Sequence, residues 1–118
     1  MSRRKGEAWG RLAEALAAWR LRLAGYRILA HRFRTPIGEI DLIARRGTTL
    51  AFVEVKARRE LADALGAITP HQQKRTLRAA ELFLLRHPDH AACTVRFDVV
   101  AVRPWRLPSH LEDAWRAE

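Results

Sequence analysis

Residues 38–59 read GEIDLIARRGTTLAFVEVKARR. Two runs rich in aliphatic and β-branched residues flank RRGTT, a short glycine-containing segment that suits a hairpin. On this reading one strand spans residues 38–44 and the next spans residues 50–57. Side chains alternate between the two faces of a strand. Glu39 and Asp41 therefore share one face of the first strand, and Glu54 and Lys56 share one face of the second. With the loop at residues 46–49, Asp41 falls opposite Glu54 and Glu39 falls opposite Lys56. Directly opposed residues have Cβ atoms about 4.5–5.5 Å apart. Four charges inside such apolar runs need partners or a task.

Two carboxylates at that separation repel each other unless something positive lies between them. A hard divalent cation such as Mg²⁺ satisfies both, because it takes carboxylate oxygens and keeps waters and substrate phosphates for its other positions. Lys56, two residues beyond Glu54 on the same face, can hold or polarise a water there. An Asp followed by Glu-x-Lys is thus the equipment for metal-assisted hydrolysis of a phosphodiester. The competing reading is ordinary cross-strand ion pairing, with Glu39 on Lys56 and no metal. Residue types alone leave both open.

Outward from the hairpin, residues 4–24 read as a helix, with Trp9, Leu12, Leu16, Trp19 and Leu23 at spacings of three and four. Residues 26–33 read as a strand. Residues 58–68 read as a loop with a helical turn. Thr69 is a natural N-cap, Pro70 suits the first helical position, and Gln72 completes a capping-box pattern. That helix runs to about Arg86, buries Leu77, Ala80, Phe83 and Leu84, and ends before Pro88. Residues 94–102 form a fourth strand, whose Arg96 and Asp98 read as a buried ion pair. Pro104 and Pro108 mark an irregular tail, in which Ser109 caps a short helix over HLEDAW. The order helix, three strands, helix, strand gives one α/β domain over residues 1–118, with its core at about 10–102.

The chain has 118 residues, a formal net charge of +9 and a pI near 11.3. Such a charge is an argument about partners, and the obvious polyanion is nucleic acid; a basic solvated surface or anionic lipid would be the bland alternatives. Arginine, which predominates, suits phosphate. A single cysteine, Cys93, excludes an internal disulfide and fits a reducing compartment. No secretory signal is visible, since Glu14, Arg20 and Arg22 interrupt any apolar region, and no run approaches the roughly 20 apolar residues of a membrane span. A cytoplasmic protein with no membrane partner is expected. His87, His90 and Cys93 have spacings that hint at zinc, but no fourth ligand accompanies them. The four tryptophans read as packing, with Trp105 in the tail as a candidate interface residue.

GEIDLI, FVEVKAR and RFDVVAV, with GRLAEALAAWRLRLAGYRIL before them, resemble the YraN-like bacterial family, uncharacterised protein family 0102, over residues 10–102. That family is similar to archaeal Holliday-junction resolvases and to the wider restriction-endonuclease-like, PD-(D/E)xK nuclease fold. The resemblance implies a restriction-endonuclease-like α/β core with a mixed central sheet. It implies a catalytic set of Glu14, Asp41, Glu54 and Lys56, in which Glu14, Asp41 and Glu54 hold Mg²⁺ or Mn²⁺ and Lys56 positions the attacking water or stabilises charge at the phosphorus. Beside that set, Glu39 reads from its position either as a carboxylate that orients Lys56 or as a cap on the strand entry after Gly38. Lys74 falls where the resemblance puts a lysine. With Arg58, Arg59, Gln73, Arg75 and Arg78 it would make a phosphate track beside the site. The implied activity is endonucleolytic hydrolysis of nucleic acid, with DNA ranked ahead of RNA and branched or single-stranded substrates expected, and the resemblance adds the expectation of a homodimer. The alternatives are a non-catalytic nucleic-acid-binding module on the same fold, and an assembly protein whose acidic cluster is only an ion-pair network.

Overall fold

The hairpin forms in the expected register. A computed structural model, covering residues 3–117 with side chains described from Trp9 onward, pairs β2 (Gly38–Arg46) antiparallel with β3 (Thr49–Ala57). Pairs run from Arg46↔Thr49 to Leu42↔Val53. The two-residue turn needs Gly47, whose φ of 59° lies in the left-handed region. β1 (Arg27–Thr35) precedes β2 through a second tight turn, held by Thr35 Oγ1, which accepts from Gly38 N at 3.0 Å.

The sheet order is β1-β2-β3-β4-β5, with β4 (Thr94–Val102) parallel to β3 and β5 (Ser109–Trp115) antiparallel to β4. Parallel neighbours need a long crossover. Here α2 (Leu61–Gly66) and α3 (Pro70–Arg86) supply it. The result is a mixed α/β sheet in the element order of a restriction-endonuclease-like core. Residues 1, 2 and 118 lie outside the described residues.

α1 (Arg3–Leu23) covers one face of the sheet and α3 the other. The face of α1 that packs is mostly alanine: Ala13, Ala17, Ala18 and Leu21 lie on Leu42, Ala44, Val53 and Val100. Small side chains bring the helix close to the strands. The stripe of Trp9, Leu12, Trp19 and Leu23 that signals the helix is left exposed, and only Leu16 of that stripe is partly buried on the core. On the other face Ala79, Ala80 and Phe83 of α3 pack on Ile43, Leu50 and Phe52. Thr69 Oγ1 accepts from Gln72 N at 3.1 Å, which fixes where α3 starts. The α3 backbone comes so near β2 that a Cβ on Gly38 would lie 1.9 Å from the carbonyl oxygen of Arg75. Among the described residues no helix is long and apolar enough to cross a membrane.

The tail departs from expectation. Residues 109–115 form no helix; they are β5, on the edge of β4. Long-range pairing overrides the local signal because Asp98, fully buried in β4, needs partners beyond Arg96 of its own strand, and β5 supplies them. His110 Nε2 lies 2.7 Å from Asp98 Oδ2, and the Asp113 amide donates to Oδ1 at 3.0 Å. The Arg96 guanidinium completes the set with bonds of 2.8 and 2.7 Å to the two oxygens, as the expected ion pair. Burial opposes the charge, but the bonds from His110, Arg96 and the Asp113 amide outweigh it and hold the Asp98 carboxyl at about 2. Trp115 adds a stacked contact with Phe97 at 4.2 Å between centroids.

Candidate active site

The β2–β3 ladder stops at Leu42↔Val53, one residue short of Asp41 and Glu54. The freed backbone donor of Val55 is taken by a side chain: Val55 N donates to Asp41 Oδ2 at 2.8 Å. Asp41 is thereby fixed where the strands part, with its second oxygen available. Glu54 Oε1 lies 3.7 Å from Lys56 Nζ, and both side chains are largely buried. Lys56 Nζ also donates to Gln72 Oε1, at 3.4 Å, from the first turn of α3. Gln72 thus caps its helix through the backbone and holds Lys56 through its side chain.

Burial pushes the Asp41 carboxyl up to about 6; the Val55 amide opposes this, Glu14 and Glu39 add to it, and Lys56 lowers it. Burial and then the charge of Asp41 push Glu54 up to about 7, with Lys56 opposing and Glu39 adding. The pair therefore resists carrying two negative charges at neutral pH. A proton or a cation relieves it.

A cavity of about 380 Å³ opens onto Asp41 and Lys56 but is not lined by Glu54; Glu14 of α1, Arg32 and Arg34 of β1, and Arg58 also line its wall. Glu14 reaches the cavity, but Arg32 holds it: Nε and Nη2 both lie 2.7 Å from Glu14 Oε2. Arg32 does this from the left-handed region, with φ of 50°, a costly conformation for a long side chain. Among the described residues no three His, Cys, Asp or Glu side chains come together closely enough to hold a metal ion. The expected triad of Glu14, Asp41 and Glu54 is therefore not assembled, because Arg32 engages its third member. The zinc hint of His87, His90 and Cys93 yields no cluster either, since His90 Nδ1 instead lies 2.7 Å from Arg45 Nη1. Asp41 and Glu54 nevertheless fit Mg²⁺ or Mn²⁺, since Mg²⁺ is commonly held by one or two carboxylates and completed by waters and phosphates.

Glu39 is not placed as expected. It is exposed and lies 4.0 Å from Arg34, its cross-strand partner on β1, with no bond to Lys56. The strands part before Lys56 could come opposite it. The proposed phosphate track is also divided. Arg58 lines the cavity, whereas Gln73 and Lys74 line a separate cavity of about 170 Å³ beside Trp115 and Arg116. Arg59, Arg75 and Arg78 are exposed and line neither. The cations that do join Arg58 are Arg32 and Arg34, which no motif in the sequence singles out. Their signal was the tight turn at Pro36 and Ile37, whose register sets Arg34 against Glu39. In the sequence Gln72 signals only a helix cap, and nothing local marks it as a partner of Lys56.

The family model of uncharacterised protein family UPF0102 matches residues 13–102, which contain Glu14, Asp41, Glu54 and Lys56. A UPF0102 protein of Chelativorans sp. (strain BNC1) is 53% identical over 117 residues, covering 99% of this chain and 94% of the relative. One from Paramagnetospirillum magneticum is 53% identical over 113 residues, covering 92% and 88%. One from Rhodopseudomonas palustris (strain BisB18) is 57% identical over 105 residues, covering 89% and 78%. The chain, with its parted hairpin and paired carboxylates, belongs to uncharacterised protein family UPF0102.

Proposed function

We propose that this protein is a divalent-metal-dependent nuclease that hydrolyses phosphodiesters in DNA. The observation that carries the reading is the pair of buried carboxyls, Asp41 and Glu54, both displaced upward: Asp41 lines an arginine-lined cavity with Lys56, and Glu54 lies behind them against Lys56. Structural ion pairs lower carboxyl values; here burial first, and then mutual repulsion, raise both, so that a cation would stabilise the charged pair. When bound, Mg²⁺ or Mn²⁺ would supply a Lewis acid and lower the pKa of a water. Asp41 and Glu54 are the residues to hold it. Lys56, oriented by Gln72, would donate from Nζ to the attacking water or to a non-bridging phosphate oxygen. Arg34 and Arg58 would hold flanking phosphates. A net charge of +9 favours a polyanionic partner, and a cytoplasmic location accords with the single cysteine.

The test is cleavage of a panel of flap, junction, single-stranded and duplex DNA with Mg²⁺ or Mn²⁺. Wild type should cut, and Glu54→Ala and Lys56→Met should each lose the activity. Cutting that survives both substitutions would sink the assignment.

A second reading is a non-catalytic nucleic-acid-binding module. It is favoured by Arg32, which ties up Glu14 and leaves the site one carboxylate short of the expected set. Calorimetric titration with Mn²⁺ separates the two. The nuclease binds the ion and loses it on Asp41→Asn, while the module binds DNA in a salt-dependent manner with no Mn²⁺ heat.

A further inference from the structure

We infer that the α1 wall of the cavity is a subsite for an unpaired nucleobase, with Trp9 as its stacking platform; this deepens the nuclease reading and rests on it. Three observations carry it. Trp9, 38% exposed, lines the same cavity as Asp41 and Lys56. Gly10 stands next to it on that wall, in open space, where a Cβ would meet nothing within 4 Å. Glycine is a poor choice inside a helix, and its use here leaves a flat place beside the indole. Ala13, one turn on, continues the wall with another small side chain.

The rest of the cavity has a different chemistry. Arg34 and Arg58 suit phosphate oxygens, and Asp41 and Lys56, with Glu54 against Lys56 behind them, suit the bond to be cut. An indole with a cleared surface beside it, next to phosphate-binding arginines, is the pairing that single-strand-binding proteins use. Aromatic faces take the bases and the cationic groove follows the backbone. In a duplex each base has its faces covered by its neighbours, so the platform admits only a nucleotide outside the stack. The substrate class is therefore a strand whose nucleotide beside the cleaved phosphate is unpaired: single strands, flaps, or the unpaired position at a branch. The other tryptophans do not offer this. Trp115 is stacked on Phe97, and Trp19 and Trp105 do not line the cavity.

The experiment is fluorescence anisotropy in EDTA, which prevents metal-dependent cleavage. The probes are a short labelled DNA strand, the same strand with abasic positions throughout, and its full duplex. Trp9→Ala should weaken the ordinary strand by roughly 5- to 150-fold, the range for losing one base stack, and Trp9→Phe should keep most of the affinity. The abasic strand and the duplex should bind more weakly and be indifferent to Trp9→Ala. Gly10→Leu should weaken the ordinary strand without lowering the melting temperature, and it carries the test if Trp9→Ala fails to fold. Equal losses on ordinary and abasic strands, or no loss on the ordinary strand, would overturn the subsite. The nuclease reading is judged separately, by wild-type cleavage of the same strand in Mn²⁺. Cleavage without dependence on Trp9 removes the subsite and keeps the nuclease. Binding that depends on Trp9, without cleavage, keeps the subsite and removes the nuclease.

Discussion

The amide of Val55 donates to Oδ2 of Asp41 at 2.8 Å, so one carboxylate both closes the parted hairpin and faces the cavity. The two tasks separate by substitution. Asp41→Ala leaves the Val55 amide without its acceptor and should cost about 1–3 kcal/mol in urea unfolding. Asp41→Asn keeps an acceptor and should stay closer to wild type. Both should lose Mn²⁺ binding by calorimetry. Equal stability of the Ala and Asn variants would show that the bond contributes nothing.

The pH dependence follows from the acid pair. Asp41 and Glu54 are pushed up to about 6 and 7, above their ordinary values, so the folded chain holds more protons than the unfolded one in that range. Their contribution to stability is full near pH 4 and is lost as the pH rises through about 7. Glu54→Gln should therefore raise stability at pH 8 by on the order of 1–3 kcal/mol and change little at pH 4. Mn²⁺ should raise the melting temperature of wild type at pH 8 and have a much smaller effect at pH 5, where protons occupy the pair. Melting curves across pH, with and without Mn²⁺, check all three outcomes.

Gly38 lets the α3 backbone rest on β2. Gly38→Ala would set a Cβ 1.9 Å from the Arg75 carbonyl oxygen, which is a backbone atom and cannot swing aside. The expected loss is about 1–3 kcal/mol or more. Because α3 also carries Gln72, the bond to Lys56 should loosen, so any cleavage activity should fall further than stability does. Activity measured well below the melting temperature tests this. Full activity there would break the proposed link between helix seating and Lys56.

Asp98 belongs to a separate network. It shares no hydrogen bond or ion pair with Asp41, Glu54 or Lys56, and its partners are Arg96, His110 and the Asp113 amide. Asp98→Ala strips the Arg96 guanidinium of its two carboxylate bonds, leaving it only Tyr26 and Glu112, and leaves the buried His110 without its partner; it should cost about 3–5 kcal/mol. Held at about 2, below its ordinary 3.8, the carboxyl contributes fully above pH 4 and less as the pH falls towards 2. Mn²⁺ affinity should be unchanged wherever the variant stays folded. A parallel loss of affinity would mean that the network supports the site.

The hairpin was legible because its information is local. RRGTT allows a two-residue turn, alternation assigns the faces, and together they bring Asp41, Glu54 and Lys56 to one place. The start of α3 was equally legible, since Thr69 and Pro70 act within one turn of themselves. The sequence by itself therefore determined the core order and the central acid pair with its lysine. The tertiary structure decided what lies more than a few residues apart in the chain. HLEDAW became a strand because buried Asp98 required partners beside β4. α1 turned its alanines inward because close approach to the sheet favours small side chains, and this left Trp9 facing the cavity. Glu14 went to Arg32, and Lys56 to Gln72, because an ion pair or hydrogen bond forms with whichever partner the packed elements bring within reach. Spacing along a chain describes only the element that carries it. Which side chains meet across elements is fixed by burial and by the need to satisfy every buried polar group.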